Sequence, residues 1–303
     1  FGWRAVFVVP LVGGIVVAAA GVKLVQNVGE RSSTTLDILS VVLLAAGITA
    51  FVYSVGEFST NLIAGVVALF AAIVLLGLFA ARQLKLEHPV LNVRPMASVR
   101  FWPACLLVVV SMMTTFSMSV LLPLYFEGAY GMTALIAGLL ILPAIACNAV
   151  TSIVGGRVMD ARGAWPLLPV GFALIAVGQT AISMTAASMN IGVVVALTVV
   201  VYAGVGLVLS PSQTAGLETL PAAEHPHGTA LLNTWNMIAA SFGPSLFIGL
   251  LSSSAATAGA AGAATDVAQA IGFATAVRVA AVIAVVGFAT SLVYARRESH
   301  MSH

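Results

Sequence analysis

Four residues of one apolar stretch, Ser111, Thr114, Thr115 and Met118, recur at i, i+3, i+4 and i+7, so on a helix they share one face. Hydroxyls beside a thioether suit reversible binding of a molecule that is part polar and part apolar. The same residues also serve ordinary helix packing, because Ser and Thr mediate close contacts or return hydrogen bonds to their own backbone. A second group, Thr229, Asn233 and Asn236 with Trp235 adjacent, places amides in apolar surroundings, where they need partners or water. That face belongs to a cavity or an interface. Asn148 and Tyr202 are further candidates for a cavity lining, with packing as the alternative reading.

Covalent and acid–base chemistry has little to work with. The two cysteines, Cys105 and Cys147, lie inside apolar stretches and read as small apolar filler. His88, His225, His227, His300 and His303 fall between or beyond those stretches, and His225-Pro226-His227 reads as a solvated turn rather than a metal site. No cluster of Asp, Glu, His or Cys has ligand or acid–base spacing, so neither an enzyme, a metal centre nor a cofactor site is expected. Asp37, Glu57 and Glu127 stand at the rims of apolar stretches, which makes them interfacial. Arg278 is different: it sits about eight residues, roughly 12 Å, inside the outer end of the last stretch. It is expected to snorkel outward or to meet a polar partner, with Glu127 nearest by depth. The remaining charged feature is GGRVMDARGAW, residues 155–165. Gly155 and Gly156 permit a tight helix exit there, Asp160 suits the N-terminus of the next helix, and Arg157 and Arg162 hold the turn at the headgroups.

These residues are carried by elements that the hydropathy defines. The 303-residue chain is 60% hydrophobic and 7% charged, with a mean hydropathy of +1.10, which excludes an ordinary soluble globule. The apolar residues fall into nine stretches, each long enough to carry a helix through about 30 Å of hydrocarbon. They run over 5–26, 36–56, 60–81, 103–126, 134–154, 164–185, 191–213, 228–251 and 270–294. Period-two alternation, the mark of a membrane barrel, is absent, so an all-α integral membrane protein with nine transmembrane helices is expected. Alternate threading puts Lys23, Arg31, Arg82, Lys85, Arg94, Arg100, Arg157, Arg162, Arg296 and Arg297 on one side, ten of the twelve Lys and Arg residues. Arg4 is left on the other side. The positive-inside rule makes the basic side cytoplasmic, with the C-terminus inside, in a cell membrane. The basic loops then meet anionic headgroups of the lipid bilayer, and a net charge of +2 is too small to suggest nucleic acid.

GGRVMDARG resembles the cytoplasmic-loop signature of the major facilitator superfamily, with Gly156, Asp160 and Gly163 in register, Ala161 in place of the usual basic residue and Arg162 one position late. FGWRAVFVVPLVGG resembles the entry to the sixth helix of the fourteen-helix drug:proton antiporters of that superfamily. LDILSVVLLAAGITAFVYSVGE is similar to their seventh helix, HPVLNVRPMASVRFW to the loop before their ninth, and LPLYFEGAYGMTALIAGLLILP to the ninth-to-tenth turn. GTALLNTWNMIAASFGPSLFIGLLSS resembles the thirteenth, with Trp235 and Asn236 where Arg or Gln is commoner.

The resemblance implies that 1–26 is the last helix of the N-terminal half, 36–81 an extra central hairpin, 82–102 a cytoplasmic loop, 103–295 the C-terminal six-helix bundle and 296–303 a cytoplasmic tail. The chain then reads as a fragment whose N-terminal five helices are missing. It further implies two bundles rocking about a midplane site, each built of inverted three-helix repeats. The expected function is proton-coupled export of small, drug-like molecules by alternating access, and the partners are a small-molecule substrate, protons, lipid and the other half of the same transporter. Gly156, Asp160, Arg162 and Gly163 are expected to gate. The coupling carboxylate is expected in the N-terminal half. Import of a small metabolite, or a non-transporting membrane subunit or channel, are the alternatives.

Overall fold

A computed structural model describes residues 5–24, 37–57, 61–86, 89–165 and 167–299. Arg4, Arg31, His88, His300 and His303 lie outside the described residues, as do the side chains of Lys23, Arg296 and Arg297. Nine α-helices and no strand occur among the described residues: α1 Ala5–Leu24, α2 Ile38–Glu57, α3 Leu62–Lys85, α4 Phe101–Tyr130, α5 Ala134–Arg162, α6 Leu167–Thr185, α7 Ile191–Glu218, α8 His225–Ala260 and α9 Thr265–Ser299. Helices α2 to α9 are long and apolar enough to cross a membrane, whereas the apolar described stretch of α1 is the shorter Pro10–Gly21. Residues 1–36 form one unit and residues 37–303 another, so α1 stands by itself in this description.

The apolar stretches locate the helices but not their ends. Helix α5 continues past Gly155 and Gly156 to Arg162, and the turn expected at 155–163 is confined to Gly163 and the residues after it. A glycine inside a membrane helix costs little when it lets another helix approach. A Cβ placed at Gly155 would stand 3.2 Å from the Gly206 carbonyl oxygen of α7. The stop comes at Gly163, whose φ of +73° is open chiefly to glycine. Asp160 is therefore exposed in the last turn of α5, not at the start of α6. The helix dipole disfavours a carboxylate there and favours Arg162.

Similar extension appears elsewhere. Helix α3 takes Arg82 and Lys85 into its last turn, and α9 takes in residues 296–299. His225-Pro226-His227 forms the first turn of α8 instead of a loop, with proline where its missing N–H costs nothing. The imidazole Nε2 of His225 lies 3.1 Å from the Leu220 carbonyl oxygen.

The six helices α4 to α9 pack as two interlocked triplets. Helix α5 lies along α7 as α8 lies along α4, and α6 lies on α7 as α9 lies on α4; α4 with α7 and α6 with α9 complete the pattern. Exchanging α4–α5–α6 for α7–α8–α9 leaves these pairings unchanged, which is the contact pattern of an internal repeat. The α8–α9 packing departs from it, having only a marginal α5–α6 counterpart. Glycines set the close crossings. On α7, a Cβ at Gly204 would meet the Gly171 carbonyl oxygen of α6 at 2.6 Å, and one at Gly206 would meet the Asn148 carbonyl oxygen of α5 at 2.6 Å. Two positions apart, these glycines serve two different neighbours. The core between the triplets is apolar, with Leu107, Met118, Leu121, Leu168, Phe172, Ile175, Val208 and Phe273 among its buried residues.

The hairpin α2–α3 is attached at one flank. Phe51 of α2 stacks on Phe242 of α8 with ring centroids 5.4 Å apart. A second apolar cluster joins Phe79 of α3, Leu91 of the connector, Phe101 and Val108 of α4, Leu220, and Leu231 and Leu232 of α8, with Trp235 packed against it.

Candidate functional site

Along α4 the hydroxyls form a ladder. Ser111 Oγ donates to the Leu107 carbonyl at 2.9 Å, Thr115 Oγ1 to Ser111 at 2.9 Å and Ser119 Oγ to Thr115 at 2.8 Å. Each hydroxyl thus spends its single hydrogen one turn back along its own helix. The ladder winds from the interior to the surface: Ser111 is buried, Thr115 half-buried and Ser119 exposed.

This corrects the face expected from sequence. Ser111, Thr114 and Met118 are buried, Met118 inside the apolar core. The open stripe of α4 is rotated by about one residue, roughly 100°; it carries Met112, Thr115, Phe116, Ser119 and Pro123. Only Thr115 belongs to both sets. Ser119 was within reach of sequence reasoning, since it extends the four-residue spacing of Ser111 and Thr115, but a hydroxyl that bonds its own backbone carries no mark of the side it faces.

Ser119 joins a node shared by three helices. Its hydroxyl lies 3.2 Å from the Tyr202 hydroxyl of α7. Because the one hydrogen of Ser119 goes to Thr115, Tyr202 is the donor in that pair. The Asn148 side chain of α5 donates from Nδ2 to the Tyr202 carbonyl at 3.0 Å, so Asn148 and Tyr202 do come together. Asn148 stands fourteen residues from either end of α5, Ala134 and Arg162, which puts the node near mid-depth.

Helix α8 divides its candidates between two sides. Asn236 is buried on the side packed against α4, its Oδ1 without a hydrogen-bond partner. Trp235 is half-buried against the second apolar cluster. Thr229 and Asn233 are exposed and align with Met237 and Ser241 at four-residue intervals. The expected single face of Thr229, Asn233 and Asn236 is therefore split, because the tightest contact with α4, at Gly243, turns Asn236 inward: a Cβ at Gly243 would stand 3.0 Å from Ser117 Oγ.

The charged candidates differ in their surroundings. Arg278 is exposed on the outer flank of α9 and makes no ion pair or hydrogen bond among the described residues, Glu127 included. Since α9 begins at Thr265, Arg278 is thirteen residues from the outer end, deeper than the apolar stretch implied. Asp37, expected to be merely interfacial, anchors a network that sequence reasoning missed. Its carboxylate accepts from Arg82 Nε at 2.8 Å, Arg82 Nη2 at 3.1 Å and Ser40 Oγ at 2.6 Å. Gln83 Nε2 donates to Ser40 Oγ at 2.6 Å, and Leu91 N donates to Gln83 Oε1 at 3.1 Å. Hydrogen bonds from the Arg82 guanidinium, then from Ser40, hold the Asp37 carboxyl well below the usual carboxylate range. No group of three or more His, Cys, Asp or Glu residues with metal-binding placement occurs among the described residues.

Residues 1–244 match the sequence profile of the Major Facilitator Superfamily. The chain belongs to that superfamily, and its helices α2 to α9 have the length and apolarity of membrane spans. It is 30% identical over 253 residues to the lincomycin resistance protein LmrB of Listeria monocytogenes, a match covering 82% of this chain and 54% of that one. It is 31% identical over 296 residues to the MFS-type transporter YcnB of Bacillus subtilis, covering 96% and 62%. A multidrug resistance protein B homolog of Mycobacterium tuberculosis is 25% identical over 261 residues, covering 83% and 48%. The chain thus spans about half the length of the curated relatives it matches. Drug-resistance proteins are thus among its relatives.

Proposed function

We propose that this chain forms one wall of a proton-coupled exporter of small, lipophilic or drug-like molecules. The observation that carries the reading is the exposure of Ser119, Asn233 and Ser241 on α4 and α8, at depths where hydrocarbon offers no hydrogen-bond partner. Such groups need water, substrate or an opposing helical bundle. Alternating access supplies all three in turn, if a second bundle, from a preceding segment or a second chain, closes over the wall. The names of the resistance proteins among the relatives support export, and the resemblance to drug:proton antiporters supports proton coupling. On this reading the basic ends of the helices are cytoplasmic. Gly156, Asp160, Arg162 and Gly163 then act at the cytoplasmic mouth, with Asp160 offering an exposed carboxylate to the other bundle.

The test is uptake of ethidium and of Hoechst 33342, a dye that carries a protonated amine, into inverted proteoliposomes under an imposed proton gradient, with this chain alone and together with a second helical bundle. Saturable uptake, abolished by an uncoupler and seen only when a second bundle is present, is the expected result. Uptake by the chain alone would remove the two-bundle reading, uptake indifferent to the uncoupler would remove proton coupling, and no uptake of either dye under either condition would sink the exporter.

A further inference from the structure

The open wall is rich in hydrogen-bond acceptors and poor in donors, and this names a class of substrate. The argument rests on the exporter reading above and follows the hydroxyl hydrogens one at a time. Thr115 gives its hydrogen to Ser111, Ser119 to Thr115, and Ser241 Oγ to the Met237 carbonyl at 3.0 Å. The Asn148 amide nitrogen is engaged by the Tyr202 carbonyl, and the Tyr202 hydroxyl by Ser119. What the hydroxyls leave toward the opening are lone pairs. Each bonded hydroxyl oxygen keeps acceptor capacity after its own hydrogen is committed. Donors are left only on amides: Asn233, exposed on α8, and the second amide hydrogen of the half-buried Asn148.

Beside Ser119 stands the Phe116 ring, 38% exposed one turn earlier on the same stripe. Its face attracts a cation and accommodates an apolar body.

We infer that the Ser119 hydroxyl oxygen, set by Tyr202 and Thr115 into a pure acceptor, selects substrates that carry an N–H donor on a protonated amine, and discriminates against quaternary ammonium compounds of the same size. A protonated amine offers both charge and hydrogen to the lone pair. A quaternary nitrogen presents only methyl groups, leaving the acceptor desolvated and unpaired, and that omission is the costly one.

The experiment is a calorimetric titration of the full chain in lipid nanodiscs, at neutral pH, with 4-phenylbutyldimethylamine and with 4-phenylbutyltrimethylammonium. The protonated tertiary amine should bind about tenfold more tightly, the size of one hydrogen bond with a charged donor. Ser119→Ala should erase that preference and leave the affinity for the quaternary compound unchanged. Tyr202→Phe should keep the preference, since it removes a donor to Ser119 and spares the acceptor. A purely structural role for the Ser119–Tyr202 bond predicts otherwise: both variants would weaken both ligands alike, and that result overturns the inference. Equal affinities in the unsubstituted chain, a preference that survives Ser119→Ala, or binding of neither amine would overturn it as well. Transport of either dye by the two-bundle assembly decides the exporter reading separately, so the two can fail independently.

Discussion

Arg278 and Asp37 are the two charged residues whose surroundings matter most, and they stand in opposite situations. Asp37 has every advantage a carboxylate can have at a helix start, with a forked guanidinium and a hydroxyl on it. Its folded-state pKa is lowered, so the stability it contributes is fully present above the unfolded aspartate value of about 3.9 and is lost as pH falls through the folded value. Between about pH 5.5 and 8 the carboxylate does not titrate, and Asp37→Asn should lower stability by the same amount throughout that window. Unfolding of both proteins in detergent across that range checks this; a difference that grows or shrinks with pH would mean that another group controls the carboxylate. Arg278, by contrast, has no partner among the described residues and sits thirteen residues into α9, on its exposed flank. If this exposed flank of α9 meets lipid, an arginine at the centre of the span costs about 2.5–3.5 kcal/mol on insertion scales. Arg278→Leu should therefore raise resistance to denaturation in bicelles and the amount of protein in the membrane. A clear fall in both would show that Arg278 has a stabilising partner in the bilayer.

At the scale of helices, what was legible in the sequence was length, and what was not was rotation and termination. Stretches of about 20 apolar residues locate a membrane helix because hydrocarbon sets their minimum length. Nothing comparable sets the end: α5 outran its apolar stretch to reach Gly163, and α8 began three residues early at His225. Rotation was lost on α4 because Ser and Thr can satisfy themselves on their own helix, so Ser111 and Thr114 could be buried as readily as Ser119 could be exposed. Glycines hold the missing information, though only once their neighbours are known. Gly206→Val should destabilise strongly, since its Cβ would press on Asn148 and Ser152 backbone atoms 2.6 and 2.9 Å away. Overpacking of this kind costs about 1–3 kcal/mol, and backbone cannot step aside as a side chain can. Gly156→Ala, with nothing within 4 Å, should be neutral or slightly favourable. Gly163→Ala should cost about 1 kcal/mol through its positive φ alone. Thermal midpoints of the three variants rank these effects; equal midpoints for the Gly206 and Gly156 variants would contradict the α5–α7 crossing.

At the scale of the molecule, the question is which parts move together. The hairpin α2–α3 is joined to α4–α9 by the Phe51–Phe242 stack and the apolar cluster around Phe101, and to the α3–α4 connector by the chain of bonds from Arg82 through Asp37, Ser40 and Gln83 to Leu91. The last of these is notable for its burial, Ser40 and Gln83 being 0% and 1% exposed. Gln83 there accepts from the connector backbone and donates to the hairpin, so the connector between α3 and α4 is tied down from its own side. Loosening it would strand buried donors and acceptors, each worth about 1–3 kcal/mol unpaired. The hairpin should therefore travel with α4–α9 as one body during transport, and the α3–α4 connector should be a strut, not a hinge. Spin labels replacing the exposed Phe70 of α3 and Val177 of α6 report on this directly. One narrow distance distribution is expected, the same with and without ethidium and on either side of a proton gradient. Asp37→Asn combined with Phe51→Ala should broaden it, whereas Phe51→Ala alone should not, because the polar chain and the apolar cluster remain. A distribution that becomes bimodal on adding ethidium to the unsubstituted protein would place the hinge inside the connector and make the hairpin a moving part in its own right.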